Sequence, residues 1–355
     1  MLVRYDLSTP LSLSVVRERR GGPWRYSELL PVHGDPVSFG EPETPLVFAA
    51  RLSERWGTEV FVKDESPLPG GTFKARGASV GISRAIELGA KRIVMPSAGN
   101  AGGAWALYAA RAGVELVVTM ARTAPEMNKM EVQAAGAELV LVDGTIADAG
   151  RRAQEIATET EAFFAATFAE PYRVEGKKTA WLEVFDALGD GSMRVPGTIV
   201  VPVGGGVAAV AAAKAVDEVR ALGWIDDATP RLVGVQPSDC APIVRAFERG
   251  DDEVEPWGTE PTTIASGLRV PAPSEGALVL DRIRRSGGTM IEVSEEAIVG
   301  AVHDLAASEG IFACPEGAAT VAAAEQLAAT GELVGPVVLY NTGAGAKYAA
   351  QLAAI

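Results

Sequence analysis

The chain has 355 residues, 48% hydrophobic and 22% charged, with a formal net charge of −14 and a pI of about 4.8. That supplies two domains with sizeable cores and excludes a disordered or low-complexity chain. The acidic balance repels a phosphate backbone, so nucleic acid is excluded as a partner and an anionic small substrate needs a local positive pocket. The two cysteines, Cys240 and Cys314, and the two histidines, His33 and His303, form neither a disulfide framework nor a metal spacing. The N-terminal run MLVRYDLSTP lacks the pattern of a signal peptide, and no apolar run reaches spanning length. These features predict a cytoplasmic protein without membrane partners.

In chain order, the first 45 residues carry little periodicity and are expected to wrap the body. Strands are then predicted over 59–63, 92–95, 116–120, 138–142, 198–203, 231–235, 290–293 and 337–340. Helices are predicted over 78–88, 101–112, 125–135, 147–159, 179–188, 208–222, 295–308 and 317–329. The stretch 251–273, rich in Pro, Thr and Gly, reads as a long loop. Strands alternating with helices predict an α/β fold with mostly parallel sheets. The strand runs lack polar alternation, as strands covered by helices on both faces do.

Ligands of open α/β sheets bind beyond the carboxyl ends of the strands, where loops lead into helices. Four glycine-rich segments fall at such places. Pro69-Gly70-Gly71-Thr72-Phe73-Lys74-Ala75-Arg76-Gly77 sets one lysine between a glycine turn and a helix. Lys74 is thereby a candidate Schiff-base amine, although a packed aromatic beside solvated charges would read the same way. Ser97-Ala98-Gly99-Asn100-Ala101 opens the next helix and offers free N–H groups to an anion, with Asn100 able to donate and accept. An ordinary capped helix start is its competing reading. The spacing is not that of a dinucleotide fingerprint. Gly204-Gly205-Gly206 after the strand at 198–203 forms an anion cup at a helix start, without the lysine of a nucleotide P-loop. Thr342, between Asn341 and Gly343, offers a hydroxyl at a strand end. A Schiff-base lysine, a phosphate cup, a carboxylate loop and a hydroxyl for a ring nitrogen together match pyridoxal 5'-phosphate.

Longer runs carry a resemblance. These are Pro23-Trp24-Arg25-Tyr26, Thr44-Pro45-Leu46, Val62-Lys63-Asp64-Glu65, Thr72-Phe73-Lys74 and Tyr172-Arg173-Val174-Glu175-Gly176-Lys177-Lys178-Thr179. Val235-Gln236-Pro237 and Asn341-Thr342-Gly343 extend the set. Over nearly its whole length the chain resembles the fold-type II, tryptophan-synthase-β-like, pyridoxal-phosphate enzymes, and within them the threonine synthases. It departs from them at Gly70 and Ala75. The run 73–78 and the Gly204–Gly206 cup are closer to serine/threonine dehydratases, and the loop with Ala98 and Ala101-Gly102-Gly103 matches neither branch well.

The resemblance implies two three-layer αβα domains with the cofactor in the cleft between them. The large domain comprises 1–77 and 166–355, and the small one 78–165. It implies that Lys74 holds the cofactor and moves protons, and that Phe73, Asn100, Val203, Gly204, Gly205, Gly206, Val207 and Thr342 contact it. Asn100 meets the ring 3'-oxygen and Thr342 the pyridine nitrogen. Ser97, Ala98, Gly99, Asn100 and Ala101 receive the substrate carboxylate. Arg173, Lys177 and Lys178 are candidates for a substrate phosphate, and Lys178 is assigned to the substrate site. Glu316 is expected to cap the helix that follows it. The activity implied is that of a lyase acting on O-phosphohomoserine or a related activated amino acid, with a serine/threonine dehydratase or β-replacement enzyme as the alternative. A small-molecule amino-acid substrate and a homodimer belong to the same expectation, and no metal is called for. A silent binding homologue would not need Lys74, Asn100 and Thr342 together.

Overall fold

The computed structural model describes residues 2–9, 11–19 and 21–354. A short helix α1 (Leu13–Arg17) precedes strand β1 (Leu46–Phe48), helix α2 (Ala50–Trp56) and strand β2 (Val60–Asp64). Then come α3 (Lys74–Glu87), β3 (Arg92–Pro96), α4 (Asn100–Ala112), β4 (Glu115–Ala121), α5 (Glu126–Ala134), β5 (Glu138–Val142), α6 (Ile146–Glu159), β6 (Phe163–Phe164) and α7 (Tyr172–Ala187). The chain continues through β7 (Thr198–Pro202), α8 (Val207–Ala221), β8 (Arg231–Pro237), α9 (Pro242–Arg249), α10 (Gly276–Arg285), β9 (Thr289–Val293), α11 (Glu295–Glu309), α12 (Pro315–Thr330), β10 (Val337–Asn341) and α13 (Ala349–Leu352).

Packing divides the chain into two units. The first comprises the described residues within Met1–Tyr5, Arg19–Pro42 and Leu68–Thr179. Its sheet has the order β5-β4-β3-β6 with every pairing parallel. Ile93, Met95, Val118 and Met120 meet Ala78, Ile82, Trp105 and Tyr108 in its main core. Ala153, Ile156 and Ala157 of α6 pack with Val94 and Val117 in a separate cluster. Leu30 and Val32 pack on Val80 of α3, so this part of the N-terminal segment covers the unit as the aperiodic sequence predicts.

The second unit comprises the described residues within Asp6–Glu18, Glu43–Pro67 and Ala180–Ile355. Its six-stranded sheet runs β1-β2-β10-β7-β8-β9, and only the edge pair β1–β2 is antiparallel. Its core is made largely of Ala, Val, Leu and Ile, with α12 contributing Ala318, Ala319, Ala323 and Ala324. The described residues within Met1–Tyr5, Arg19–Pro42, Leu68–Gly77 and 166–179, which the sequence assigns to the larger domain, pack with the smaller sheet.

The predicted strands match the observed ones within a residue or two. Two short strands, β1 and β6, are additions. The helix predicted over 78–88 begins at Lys74, and that predicted over 179–188 begins at Tyr172. Both corrections place charged residues of the motifs on helices. Among the described residues, no helix is long and apolar enough to cross a membrane.

Candidate active site

In the first unit, Gly70 and Gly71 turn the chain at φ of +69° and +62°. Only glycine adopts such angles without strain. Lys74 is the first residue of α3, half-buried, with its amine 4.7 Å from the centroid of the Phe73 ring. Helix α7 crosses α3 through two glycines. A Cβ on Gly176 would lie 2.0 Å from the Arg76 carbonyl oxygen, and one on Gly77 would lie 3.0 Å from that of Arg173. The two backbones are therefore in direct contact. Arg76, fully buried, donates to Thr179 Oγ1 at 2.9 Å and ties the helices at the same level.

The crossing explains why α7 begins early. The Glu170 carboxylate accepts from the backbone N–H groups of Tyr172 (2.7 Å) and Arg173 (3.1 Å), capping the helix start. Glu170 also pairs with the Arg173 guanidinium, which donates further to the Ala165 carbonyl at 2.9 Å and lies 5.1 Å from the Trp105 ring.

Lys178, expected to meet the substrate, is fully enclosed. Its amine donates to Glu175 at 2.6 Å and lies 4.2 Å from the Tyr5 ring. These contacts correct its assignment: its charge is neutralised inside the unit. The cation beside Lys74 is Lys177, only 4% exposed, with its amine 4.8 Å from the same Phe73 ring. Burial above all, then the charges of Lys74 and Arg173, hold the Lys177 amine well below the usual lysine range, and Glu170 opposes them. The sequence reading grouped Lys177 with its neighbours as a phosphate candidate. Its shared ring with Lys74 becomes visible only through the Gly77–Gly176 crossing.

The loop before α4 is organised by Ser97. Its hydroxyl donates to the Gly99 carbonyl (2.9 Å) and accepts from the N–H groups of Gly99 (3.2 Å) and Gly102 (2.9 Å). Those bonds use the full capacity of a hydroxyl, so the Ser97 side chain shapes the loop from within. Ala98 and Ala101 are half-buried and Gly99 is buried. Asn100 is the first residue of α4. Gly102 and Gly103 have packing reasons: a Cβ at Gly102 would lie 2.6 Å from Met120 Cε, and one at Gly103 would lie 2.5 Å from Glu131 Oε2.

In the second unit, β7 leads into Val203, whose N–H donates to the Val235 carbonyl at 2.8 Å. Gly204, Gly205 and Gly206 follow. A Cβ on Gly204 would lie 2.5 Å from the Gly267 carbonyl oxygen, and Gly206 holds a φ of +82° where a Cβ would lie 2.1 Å from Val279. Gly206 caps α8 without a side chain, and Val207 is its first residue. A bare helix start behind a turn too tight for side chains fits a phosphate, so these residues suit the group the sequence calls for.

Thr342 lies just beyond β10, 5% exposed, with Cys314 Sγ 3.3 Å from its hydroxyl. Cys314 also caps α12 through the Gly317 N–H at 3.3 Å. The expected cap, Glu316, turns away: its Oε1 accepts from Gly267 N–H at 2.7 Å and from the Tyr348 hydroxyl at 2.8 Å. Burial, followed by the Glu316 charge, raises the Cys314 thiol far above its ordinary value. Cys314 is thus a neutral packing and capping group, not a nucleophile.

Residues 37–343 match the family described as pyridoxal-phosphate dependent enzyme. The chain belongs to that family. It is 35% identical over 328 residues to a threonine synthase of Methanosarcina acetivorans, covering 92% of this chain and 80% of the relative. A threonine synthase of Methanocaldococcus jannaschii is 34% identical over 348 residues, with 96% and 84% covered. Among solved structures, a threonine deaminase from T.th. superposes with a TM-score of 0.73 at 27% identity, covering 94% of this chain and 98% of that one. The chain is a pyridoxal-phosphate-dependent lyase of the fold-type II class, and its cofactor is pyridoxal 5'-phosphate.

Proposed function

We propose that the enzyme carries out β,γ-elimination and replacement on O-phosphohomoserine or a related activated amino acid, as a threonine synthase does. The observation that carries this reading is the similarity to threonine synthases over most of the chain, 35% and 34% identical across 92% and 96% of it. The bare, glycine-lined start of α8 suits the phosphate of the cofactor that such a reaction needs.

Bound pyridoxal phosphate supplies the ring that draws electron density from Cα. In this reading Lys74 holds the cofactor, then moves protons at Cα and Cβ as base and acid. Phe73 and Val203 line the cofactor. Gly204 to Val207 receive its phosphate, Asn100 its ring oxygen and Thr342 its ring nitrogen. The backbone of Ser97 to Ala101 receives the substrate carboxylate. Thr342 offers a neutral hydroxyl, which leaves the ring a weaker electron sink and favours elimination over transamination. The family likeness and the acidic surface support a cytoplasmic homodimer acting on a small amino acid, without nucleic-acid or membrane partners.

The test is product analysis. Phosphate should be released from O-phosphohomoserine, with little ammonia from threonine. The reverse result supports a dehydratase, a reading favoured by the run Phe73-Lys74-Ala75-Arg76-Gly77-Ala78 and by the likeness to the threonine deaminase.

A further inference from the structure

Lys177 is the buried cation that the proposed reaction leaves without a defined task beside the reacting lysine. The residue is 4% exposed, and among the described residues its amine donates no hydrogen bond. Its contact is the Phe73 ring at 4.8 Å, and the Lys74 amine stands 4.7 Å from that ring. The position is fixed, because Gly176, one residue before Lys177, lies against the Arg76 backbone. A side chain serving only as a scaffold would be expected to have its donors paired, as Lys178 does with Glu175.

We propose that Lys177 is a positioning residue whose charge competes with that of Lys74 beside the Phe73 ring, so that Lys74 is more readily a neutral base. Two amines beside one aromatic ring, one of them buried, do not both carry a charge at low cost. The charged groups around Lys177 are Lys74 on α3, Arg173 on α7 and Glu170 just before α7. Glu170 is engaged by Arg173 and by the start of α7, so its charge only partly offsets the cations. An isolated lysine, with a pKa of about 10.4, would be protonated at neutral pH and unable to accept a proton. Beside a second amine of like charge, Lys74 gives up its proton more readily and can then accept one as a base.

The inference rests on Lys74 being the cofactor-bearing lysine. Its test is the pH midpoint of the visible band of the holoenzyme, alongside the pH midpoint for the rate at which apoprotein takes up pyridoxal phosphate. Removing the competing charge with Lys177→Met or Lys177→Gln should raise both midpoints by about one unit or more, the scale of a close charge pair. A fixed charge in Lys177→Arg should move them below the wild-type values. Opposite shifts for neutral and charged replacements are not expected from a merely structural residue. Midpoints unmoved in the Met and Gln variants, or moved the same way in the Arg variant, overturn the pairing. Borohydride fixation and peptide mapping of the same samples separate the two claims. A label on Lys74 with unmoved midpoints removes the pairing alone, whereas a label elsewhere removes the assignment of Lys74.

Discussion

Each unit buries a lysine, and the two differ in what surrounds it. In the second unit Lys63 is 1% exposed and donates to Glu183 at 2.6 Å and to the Thr44 carbonyl at 2.8 Å. The Thr44 hydroxyl contacts Glu183 at 3.3 Å and Glu65 at 2.6 Å, so the charge lies in a closed network. In the first unit Lys177 is similarly buried but faces an aromatic ring and two further cations. A buried ion with a complete set of partners locks geometry, whereas one held among like charges is kept ready to lose its proton. The comparison assigns Lys63 to the scaffold and Lys177 to the chemistry.

The largest effect should come from opening the closed network. Glu183→Leu strands the Lys63 ammonium and should cost about 3–5 kcal/mol in denaturant unfolding. A loss below about 1 kcal/mol would remove the distinction between the lysines. Next is Gly176→Ala, which sets a methyl group 2.0 Å from the Arg76 carbonyl and forces α7 off α3. It should cost about 1–3 kcal/mol and weaken attachment of the cofactor; full stability with normal loading would mean the crossing does not position the site. Lys177→Met removes an amine that donates no hydrogen bond among the described residues, and should leave stability within about 1 kcal/mol of wild type or raise it. A loss as large as that of Glu183→Leu would mark Lys177 as scaffold.

The smallest effect belongs to the exposed pair Arg19–Glu28. Arg19 holds the Glu28 carboxyl down at about 2, against an ordinary value of 4.5. The folded pKa is depressed, so the contribution is present above pH 4.5 and is lost as pH falls through about 2. Glu28 is well exposed, so Glu28→Gln should cost no more than about 1 kcal/mol at pH 7. That difference should vanish in unfolding curves below pH 2. A difference that grows on acidification would reverse the assigned sign.

Most of both sheets was legible because their strands are apolar runs covered on both faces. The cup was legible too, since Gly204–Gly206 follow such a run and precede an alanine-rich helix. The start of α7 was not. Tyr172 to Lys178 reads as a polar surface, yet Arg173 and Lys178 find carboxylates within the unit, and no apolar period announces the helix. For the same reason the sequence favoured Lys178 over Lys177. Adjacent lysines on a helix point different ways, and only the packing of Gly77 on Gly176 shows which one meets the Phe73 ring. The strands β1 and β6 escaped because so few residues carry no readable alternation.

The central claim is that, of two neighbouring amines on one ring, Lys74 carries the cofactor. Borohydride reduction of the wild-type holoenzyme, followed by peptide mapping, tests it directly. The fixed pyridoxyl group should lie on Lys74. A pyridoxyl group on Lys177 would contradict it.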